Sequence, residues 1–428
     1  MSIDDLRDPL SGAREGRRQR RQYGPLPIRA LNRLVGATGL RVRDLGIEAV
    51  TRRAERATGF TDWGKPDYLE RLRESLGALA RDDKLNPLGE LSAAIIFHWY
   101  ATNRLQIVDY LKRHPQVVDI PIEKPVFITG WYRTGTTSLH NLMSLDPRSR
   151  VPATWELGFP IPVHLDAARD RRIRRRRIAS KWRLADWIAP DQKFAHELRV
   201  DPPEECFFLL ANAGISIPQI MGLQGYDYAS GLLEHSQADT YRDMRIQYQI
   251  LAHQRDADRW VMKCPMHLWF LDELMEVFPD ARIVQTHRPA AEAIPSLCSL
   301  ASLMSKPFTR DFDGPRHGAF FEDYFRRGID RAMVARKTIP AEQLLDVRAS
   351  DLGRDPVGTV RGVYEHFDLP WDAGFMPGAI AGHLSSEKLR LAKRGRGHCY
   401  TAEEFGLDRE RLSSKFADYE EVFLDDGE

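Results

Sequence analysis

The chain has 428 residues, of which 43% are hydrophobic, and its formal net charge is +1. A chain of this length can bury a sizeable core, as one large domain or as two or three smaller ones. The near-neutral charge argues against bulk electrostatic attraction to nucleic acid, so no nucleic-acid partner is expected. No run of about 18 apolar residues predicts a helix that crosses a bilayer.

Cysteine usage and the first residues of the chain predict a cytoplasmic protein. The four cysteines, Cys206, Cys264, Cys298 and Cys399, are widely spaced and form no C-x-x-C pair. Neither a disulfide framework nor a zinc site is therefore predicted. The first residues also lack the apolar segment of a signal peptide.

Residues 1–120 are predicted to form a helical N-terminal region. The first 25 residues are polar and rich in arginine, which is typical of a mobile arm or a surface segment. Between residues 69 and 79, leucines recur at helical spacing and predict an amphipathic helix. Residues 121–428 are predicted to form the main α/β domain.

The stretch of residues 125–138 organises the rest of the chain. Residues 126–129 are an apolar run rich in β-branched and aromatic residues, which predicts a buried strand. Gly130 and Gly135 lie in the turn that follows, and apolar residues at helical spacing then predict a helix over 138–145. A strand, a glycine turn and a helix favour a loop that holds a phosphate-like anion, because a helix N-terminus offers unpaired N–H groups and partial positive charge.

This loop departs in one residue from the G-x-x-x-x-G-K-[ST] pattern of nucleotide triphosphatases. Thr136 and Thr137 follow Gly135, so the lysine that reaches the β- and γ-phosphates is missing. Arg133 is the local cation within the loop. A cradle of hydroxyl groups and one arginine suits a smaller terminal anion than a triphosphate. An ordinary glycine-rich turn without a ligand is the alternative.

Residues 150–255 are predicted to be an insertion that covers the open end of a sheet and shapes a substrate pocket. Within it, residues 169–183 are strongly basic. Such a run can bind an anionic lipid surface or a nucleic acid, but a solvated, charged helix face is the favoured interpretation. The aromatic residues of the insertion permit an apolar or phenolic acceptor, although a sugar or a lipid alcohol fits equally well: Trp155, Phe159, Phe194, Phe207 and Phe208.

Further strands are predicted over 259–265, 281–288 and 344–347, each followed by a helix. This alternation predicts a doubly wound parallel sheet with helices on both faces. Right-handed crossovers place the carboxyl ends of all these strands at one edge. The residues expected to gather at that edge are Arg133, Lys263, His267 and Arg288.

Arg288 and Ser296 form a second candidate anion site. Ser296 lies eight residues after Arg288, in the helix that follows the strand. An arginine and a serine hydroxyl can together clamp a phosphate group. A surface arginine near a helix cap is the alternative.

Together these motifs resemble the sulfotransferase family that uses 3′-phosphoadenosine 5′-phosphosulfate. Residues 133–137 are similar to the family's 5′-phosphosulfate loop, and the Arg288 and Ser296 pair matches its 3′-phosphate site, including the spacing. Residues 263–267 resemble the Lys-x-Pro-x-His element of a bacterial-type branch. Glu156 falls about where the tyrosylprotein sulfotransferases carry a glutamate base.

Three departures from the family pattern accompany this resemblance. Thr134 stands where serine is common, and Pro289 follows Arg288 where an Asp-Pro pair is usual. Residues 393–395 are only a faint echo of the C-terminal element that contacts the 3′-phosphate in cytosolic members. The contact of this C-terminal element with the donor is therefore the weakest part of the likeness.

The resemblance implies a P-loop-type fold and transfer of a sulfuryl group from this donor to a hydroxyl group of a small molecule, lipid or carbohydrate. Arg133 and Lys263 would neutralise charge during the transfer. Glu156 or His267 would take the acceptor proton, with a slight preference for Glu156. No metal is expected. The implied donor-binding residues are Arg133, Thr134, Gly135, Thr136, Thr137, Ser138, Arg288 and Ser296.

Two other functions fit parts of the pattern. A P-loop nucleotide kinase or other phosphotransferase shares the strand–loop–helix arrangement, but the missing loop lysine argues against it. A non-catalytic nucleotide-binding interaction protein would keep the same fold without turnover.

Overall fold

A five-stranded parallel sheet lies at the centre of the fold, and its strands follow the order β2-β3-β1-β4-β5. The computed structural model describes residues 27, 30, 32–35, 44–81, 84–194, 197–394 and 399–425. The arginine-rich segment of residues 1–25 and residue 395 lie outside this described part. The strands are β1 (Val126–Gly130), β2 (Ser149–Arg150), β3 (Arg259–Lys263), β4 (Arg282–His287) and β5 (Leu344–Arg348).

The predicted doubly wound parallel sheet is confirmed, and four of its strands lie where the apolar runs placed them. The sequence did not predict β2. This strand has only two residues and pairs at the sheet edge through Ser149 with Arg259 and through Arg150 with Trp260. Such a short strand has no room for the alternation that marks a strand in a sequence.

The N-terminal part of the described chain is helical, with α1 (Ile47–Thr58), α2 (Asp67–Arg81) and α3 (Pro87–Arg113). The leucines predicted to share one face of α2 pack inward, since Leu72 and Leu76 are buried. Asn86 caps α3, because its side chain accepts a hydrogen bond from the amide of Gly89. The division between a region of residues 1–120 and a second domain stays a prediction.

The other helices are placed around the sheet or within the insertion that precedes β3. After β1 come α4 (Thr136–Met143), α5 (Thr154–Gly158), α6 (Ala167–Ile188), α7 (Phe207–Ala213), α8 (Ile217–Gly222), α9 (Tyr226–Leu232) and α10 (Ala238–Gln254). After β3 come the 3-10 helix Pro265–Phe270, then α11 (Leu271–Val277), α12 (Ala290–Ser305), α13 (Gly314–Ala335), α14 (Ala349–Arg354), α15 (Pro356–His366), α16 (Met376–Arg394), α17 (Arg409–Lys415) and α18 (Ala417–Phe423).

Successive residues of β1 belong to two different core clusters. Val126 and Ile128 pack with Leu139 of α4. Phe127 belongs to the other cluster, which contains Trp269. Because side chains alternate across a strand, the two clusters lie on opposite faces of the sheet. Both faces are therefore covered, and the carboxyl end of β1 lies between two packed layers.

The basic segment within α6 only partly matches the predicted solvated face. Arg169, Arg172 and Arg176 are exposed. The interpretation is wrong for Arg174, which is 1% exposed and pairs with Asp170 at 2.9 Å. The i, i+4 spacing of the two residues places both on the inner face of the helix. None of the described helices is long and apolar enough to cross a membrane.

Candidate functional site

The turn after β1 needs glycine at two positions. Gly130 has φ +137, and a Cβ there would lie 2.5 Å from the backbone oxygen of Thr286. Gly135 has φ +94 and is the N-cap of α4, where no side chain of the described residues caps the helix. The first-turn N–H groups of a helix have no partners within the helix. The chain therefore turns sharply from strand to helix and leaves a backbone cradle that suits an anion.

The hydroxyl groups of the loop have different surroundings. Thr134 is buried, and its hydroxyl donates to the carbonyl of Trp131 and contacts the Thr286 hydroxyl, both at 2.6 Å. These contacts hold the loop against β4. The side chains of Thr137 and Ser138 are exposed at the start of α4. Thr134 can therefore offer a ligand its backbone, whereas Thr137 and Ser138 also present hydroxyl groups.

The structure brings Arg133, Arg288 and Ser296 together. The Nε of Arg133 donates to Ser296 Oγ at 3.2 Å, and Nη1 of Arg288 donates to the carbonyl of Arg133 at 3.2 Å. Arg133 has φ +74, a left-handed conformation that is uncommon outside glycine. The end of β4 and helix α12 thus bind the loop residue through both its main chain and its side chain.

Lys263 is the last residue of β3 and lies beside the same loop. Its ammonium group donates to Thr137 Oγ1 at 3.3 Å and to Glu205 Oε1 at 2.6 Å, and its side chain is 1% exposed. Burial alone lowers the pKa of Lys263, but the neighbouring carboxylates of Glu205 and Glu204 outweigh burial and raise the pKa above its ordinary value. Lys263 is therefore a protonated, buried cation within reach of the cradle.

Glu205 is a site residue to which the sequence assigned no role, although residues 204–206 resemble a segment of the bacterial-type branch. It belongs to the loop of the insertion that precedes α7, and the amide of Cys206 donates to the carbonyl of Lys263 at 2.9 Å. This backbone contact holds the loop against the carboxyl end of β3. The adjacent acids Glu204 and Glu205 were the available signal, but charged residues in loops are usually solvated.

His267 lies in the hydrophobic core. Its side chain is fully buried, Nδ1 is 2.8 Å from the Tyr241 hydroxyl, and its ring meets Phe127 edge-on with centroids 5.2 Å apart. Burial lowers the pKa of His267 to about 3, so the imidazole is neutral. Its contacts are with α10 and β1. Lys263 and Arg288, in contrast, contact residues of the loop or of the first turn of α4. Its role as the base stays a prediction.

Glu156 is held by a buried arginine. Its two carboxylate oxygens accept from the Arg150 guanidinium at 2.6 and 3.0 Å, and Oε2 also accepts from the Ala153 amide at 2.9 Å. Burial raises the pKa of the Glu156 carboxyl, but Arg150 outweighs burial and holds the pKa below its usual range. The carboxylate is ionised and accepts from the backbone amide that precedes α5. Its role as the base also stays a prediction.

Two of the aromatic residues expected to shape the acceptor pocket pack against Trp99 of α3. The ring of Trp99 lies 5.3 Å from that of Phe159 and 5.6 Å from that of Phe208. Phe208 stacks on Phe207 at 4.0 Å. Phe208 is buried core, whereas Phe159, Phe207 and Trp155 are half-buried. The side chain of Phe194 lies outside the described part of the chain.

The parallel sheet and the loop after β1 define an α/β protein with a P-loop-like anion cradle. A model of the sulfotransferase family matches residues 125–373, from the start of β1 to beyond β5. The chain belongs to the sulfotransferase family. The match covers both the loop and the pair formed by Arg288 and Ser296, and it confirms the family resemblance seen in the sequence. The finer likeness to the tyrosylprotein sulfotransferases stays a prediction.

Solved structures and curated relatives agree with this assignment. The crystal structure of sulfotransferase STF1 from Mycobacterium tuberculosis H37Rv is 29% identical, with a TM-score of 0.76 over 87% of this chain and 98% of that one. Sulfotransferase STF9 from Mycobacterium avium is 25% identical, with a TM-score of 0.78 over 89% of this chain and 97% of that one.

A curated relative from Mycobacterium tuberculosis and Mycobacterium bovis is named omega-hydroxy-beta-dihydromenaquinone-9 sulfotransferase Stf3. It is 23% identical over 270 residues, which span 58% of this chain and 63% of the relative. The match thus covers less than two thirds of the length of Stf3.

Proposed function

We propose that this protein transfers a sulfuryl group from 3′-phosphoadenosine 5′-phosphosulfate to a hydroxyl group of a small molecule or lipid. One observation carries the proposal: Arg133, Arg288 and Ser296 contact one another at the loop before α4, and Lys263 reaches Thr137 in the first turn of that helix, whose N-cap is Gly135. Three cationic side chains around one anion cradle suit a donor with two separate anionic ends.

The residues present fit this donor. The glycine-lined turn provides backbone N–H groups for the 5′-phosphosulfate, with Thr137 and Lys263 beside them. Arg288 and Ser296 would hold the 3′-phosphate, as the family resemblance implies. The bound nucleotide supplies an activated sulfuryl group. Preorganised hydrogen-bond donors of the protein typically stabilise the transition state of such a transfer by about 3 kcal/mol each. That the transfer needs no metal ion stays a prediction.

A lipid-like alcohol is the acceptor class that we favour. The relative Stf3 is named for a hydroxylated menaquinone, which is a lipid. In this chain, half-buried Trp155, Phe159 and Phe207 belong to the insertion that also carries Glu205. Aromatic side chains provide the apolar contact area that such an acceptor needs. A carbohydrate hydroxyl is the alternative that a product screen tests directly.

Peripheral contact with an anionic membrane follows from a lipid acceptor. One stripe along and just before α6 is exposed and combines basic residues with Leu165 at one end and Trp187 at the other. Leu165 is fully exposed and Trp187 is 52% exposed. Basic side chains beside exposed apolar ones suit the headgroup region of a membrane. The basic members of the stripe are Arg169, Arg172, Arg176 and Arg183.

We place the reaction in the cytoplasm. Cys206, Cys264 and Cys298 are buried thiols that form no disulfide with one another. Unpaired thiols of this kind are typical of a reducing compartment.

Two measurements test the proposed function. Calorimetric titration with adenosine 3′,5′-bisphosphate, the donor without its sulfate, should show binding, and titration with magnesium ATP should show much weaker binding. Labelled donor should then pass its sulfate to farnesol in preference to 2-naphthol or glucose. Tight binding of ATP without binding of the bisphosphate would instead favour the phosphotransferase alternative. Binding without any labelled product would favour the non-catalytic one.

A further inference from the structure

The loop that precedes α7 brings a carboxylate to the anion cradle. Glu205 is 15% exposed on its side chain, and its Oε1 lies 2.6 Å from Lys263 Nζ. The same Nζ lies 3.3 Å from Thr137 Oγ1, at the start of α4. The ammonium group therefore stands between a carboxylate on one side and the loop on the other.

This ammonium has a competing partner as soon as an anion enters the cradle. A lysine carries three N–H donors and no acceptor, and its charge-assisted hydrogen bonds are strongest to anionic oxygens. A phosphosulfate at the start of α4 would place several such oxygens beside Thr137, which Lys263 already touches. Lys263 can then turn from Glu205 to the donor with a movement of its side chain alone.

We propose that Glu205 is the general base of the transfer and that donor binding frees it from Lys263. This inference rests on the proposed function. The exchange leaves a carboxylate without its cation next to the reacting group, on the insertion that carries the half-buried aromatic residues. Such a carboxylate can accept a hydrogen bond from the acceptor hydroxyl and orient it for attack.

The step balances without another reactant. The acceptor oxygen forms a bond to sulfur with its own lone pair. The bond between sulfur and the 5′-phosphate oxygen breaks, and its electron pair leaves on that phosphate. The acceptor proton passes to the Glu205 carboxylate. Lys263 stabilises the charge that develops on the departing oxygen.

The two bases expected from the family resemblance are less available in this structure. Both oxygens of Glu156 are bound to the buried guanidinium of Arg150. His267 is fully buried, and its Nδ1 contacts Tyr241. Glu205 differs from both, because its partner is itself a residue that an incoming donor would attract.

Binding of adenosine 3′,5′-bisphosphate tests the partner exchange without any acceptor. In Glu205→Gln, Lys263 loses a competing carboxylate, so we expect binding to tighten on the order of tenfold, the effect of one charged hydrogen bond. Lys263→Met should weaken binding by a similar factor. A carboxylate that only positions Lys263 predicts the opposite result for Glu205→Gln, namely weaker binding, and that result would overturn the proposal.

Turnover tests the proton transfer. Loss of a general base should lower kcat of Glu205→Gln by about 10²–10⁴-fold, while the nucleotide still binds. The matched control is Asp201→Asn in the same loop, which removes a surface ion pair to Arg175 and should leave kcat within about twofold. A kcat of Glu205→Gln close to that of the control would also overturn the proposal.

The two proposals fail in different ways. If the unmodified protein does not bind adenosine 3′,5′-bisphosphate, the proposed function is wrong. If it binds the nucleotide and sulfates farnesol, but Glu205→Gln does so at the same rate, the assignment of Glu205 is wrong and the function stands. If it binds the nucleotide but farnesol is not an acceptor, the sign of the affinity change in Glu205→Gln still decides whether the partner exchange occurs.

Discussion

The side chain of Arg133 donates to Ser296 Oγ at 3.2 Å, across 163 residues of sequence. This contact joins the loop after β1 to helix α12. Arg288, at the start of the same β4–α12 connection, binds the carbonyl of Arg133 at 3.2 Å. The two candidate anion sites are therefore one connected unit, and a change in either should affect the other.

Removal of the Ser296 hydroxyl should weaken nucleotide binding. Ser296→Ala loses a hydrogen bond to a charged group and the proposed hydroxyl ligand of the 3′-phosphate, so we expect a loss of about tenfold in affinity for adenosine 3′,5′-bisphosphate. Affinity is measured by calorimetry. Ser299→Ala is the matched control, because Ser299 is buried on the same helix and should leave affinity unchanged. Equal losses in the two variants would contradict a specific role for Ser296.

Gly130→Ala should damage the loop. The new Cβ would lie 2.5 Å from the Thr286 backbone oxygen at φ +137, so the free energy of unfolding should fall by about 1–3 kcal/mol. Nucleotide binding should fall with it. Gly362→Ala in α15 meets no atom within 4 Å and should leave stability unchanged or raise it slightly. Chemical denaturation measures both. Wild-type stability in Gly130→Ala would contradict the proposed need for glycine.

Glu156→Gln should mainly lower stability. The substitution leaves the buried guanidinium of Arg150 without its carboxylate, and breaking such a pair costs about 3–5 kcal/mol. If Glu205 is the base, the kcat of the folded variant should stay within about threefold of wild type. The control Glu365→Gln breaks an exposed pair with Arg361 and should change stability by less than about 1 kcal/mol. A large loss of kcat at unchanged stability would instead assign the base to Glu156.

Buried neutral histidines should make the fold sensitive to acid. Burial lowers the pKa values of His140, His267 and His317 to about 3, from an ordinary value of 6.5. Between these two values the unfolded chain binds more protons than the folded protein. Stability is therefore complete above pH 6.5 and falls as the pH drops towards 3, by up to about 1.4 kcal/mol per pH unit for each histidine.

His267→Gln isolates one of these contributions. Glutamine does not titrate, so the pH dependence of the free energy of unfolding between pH 4 and 6 should fall by about one proton relative to wild type. The control is His366→Gln, because His366 is exposed at the C-terminal end of α15. The measurement is urea denaturation at several pH values. An unchanged slope in His267→Gln would mean that His267 is not held neutral by the fold.

Charge reversal on α6 should weaken binding to anionic membranes. Replacement of Arg172 and Arg176 by glutamate should reduce co-sedimentation with phosphatidylserine-containing vesicles, since each basic residue near such a surface contributes about 1 kcal/mol. The effect should fade at high salt. Reversal of the exposed Arg354 and Arg361 on other helices is the matched control. Equal vesicle binding by the two double variants would contradict a membrane role for α6.

The parts of the site that lie within one short stretch were predictable. Residues 126–135 contain the strand and both glycines of the turn. The structure confirms the strand and shows a positive φ at Gly130 and at Gly135. The spacing of Arg288 and Ser296 also follows from one strand–helix connection. These features depend on local backbone requirements, which a sequence displays directly.

Burial in three dimensions decided the remaining features. The sequence alone did not distinguish a histidine in the core from one in a pocket, so the contact of His267 with Tyr241 emerged only from the packing of α10 against the sheet. The inward side chain of Arg174 was hidden in the same way within a run of exposed arginines. In both cases residue type and spacing are compatible with two environments that differ greatly in energy.

The sequence by itself determined four of the five strands, the glycine turn and the family, because these depend on periodicity and on residues close together in the chain. The tertiary structure alone decided which carboxylate meets Lys263. Glu156 lies next to Arg150, and Glu205, 58 residues before Lys263, takes the place beside the cradle. An ion pair between distant residues depends on how the insertion folds back over the end of β3, and the buried ammonium of Lys263 needs a counter-charge at that point.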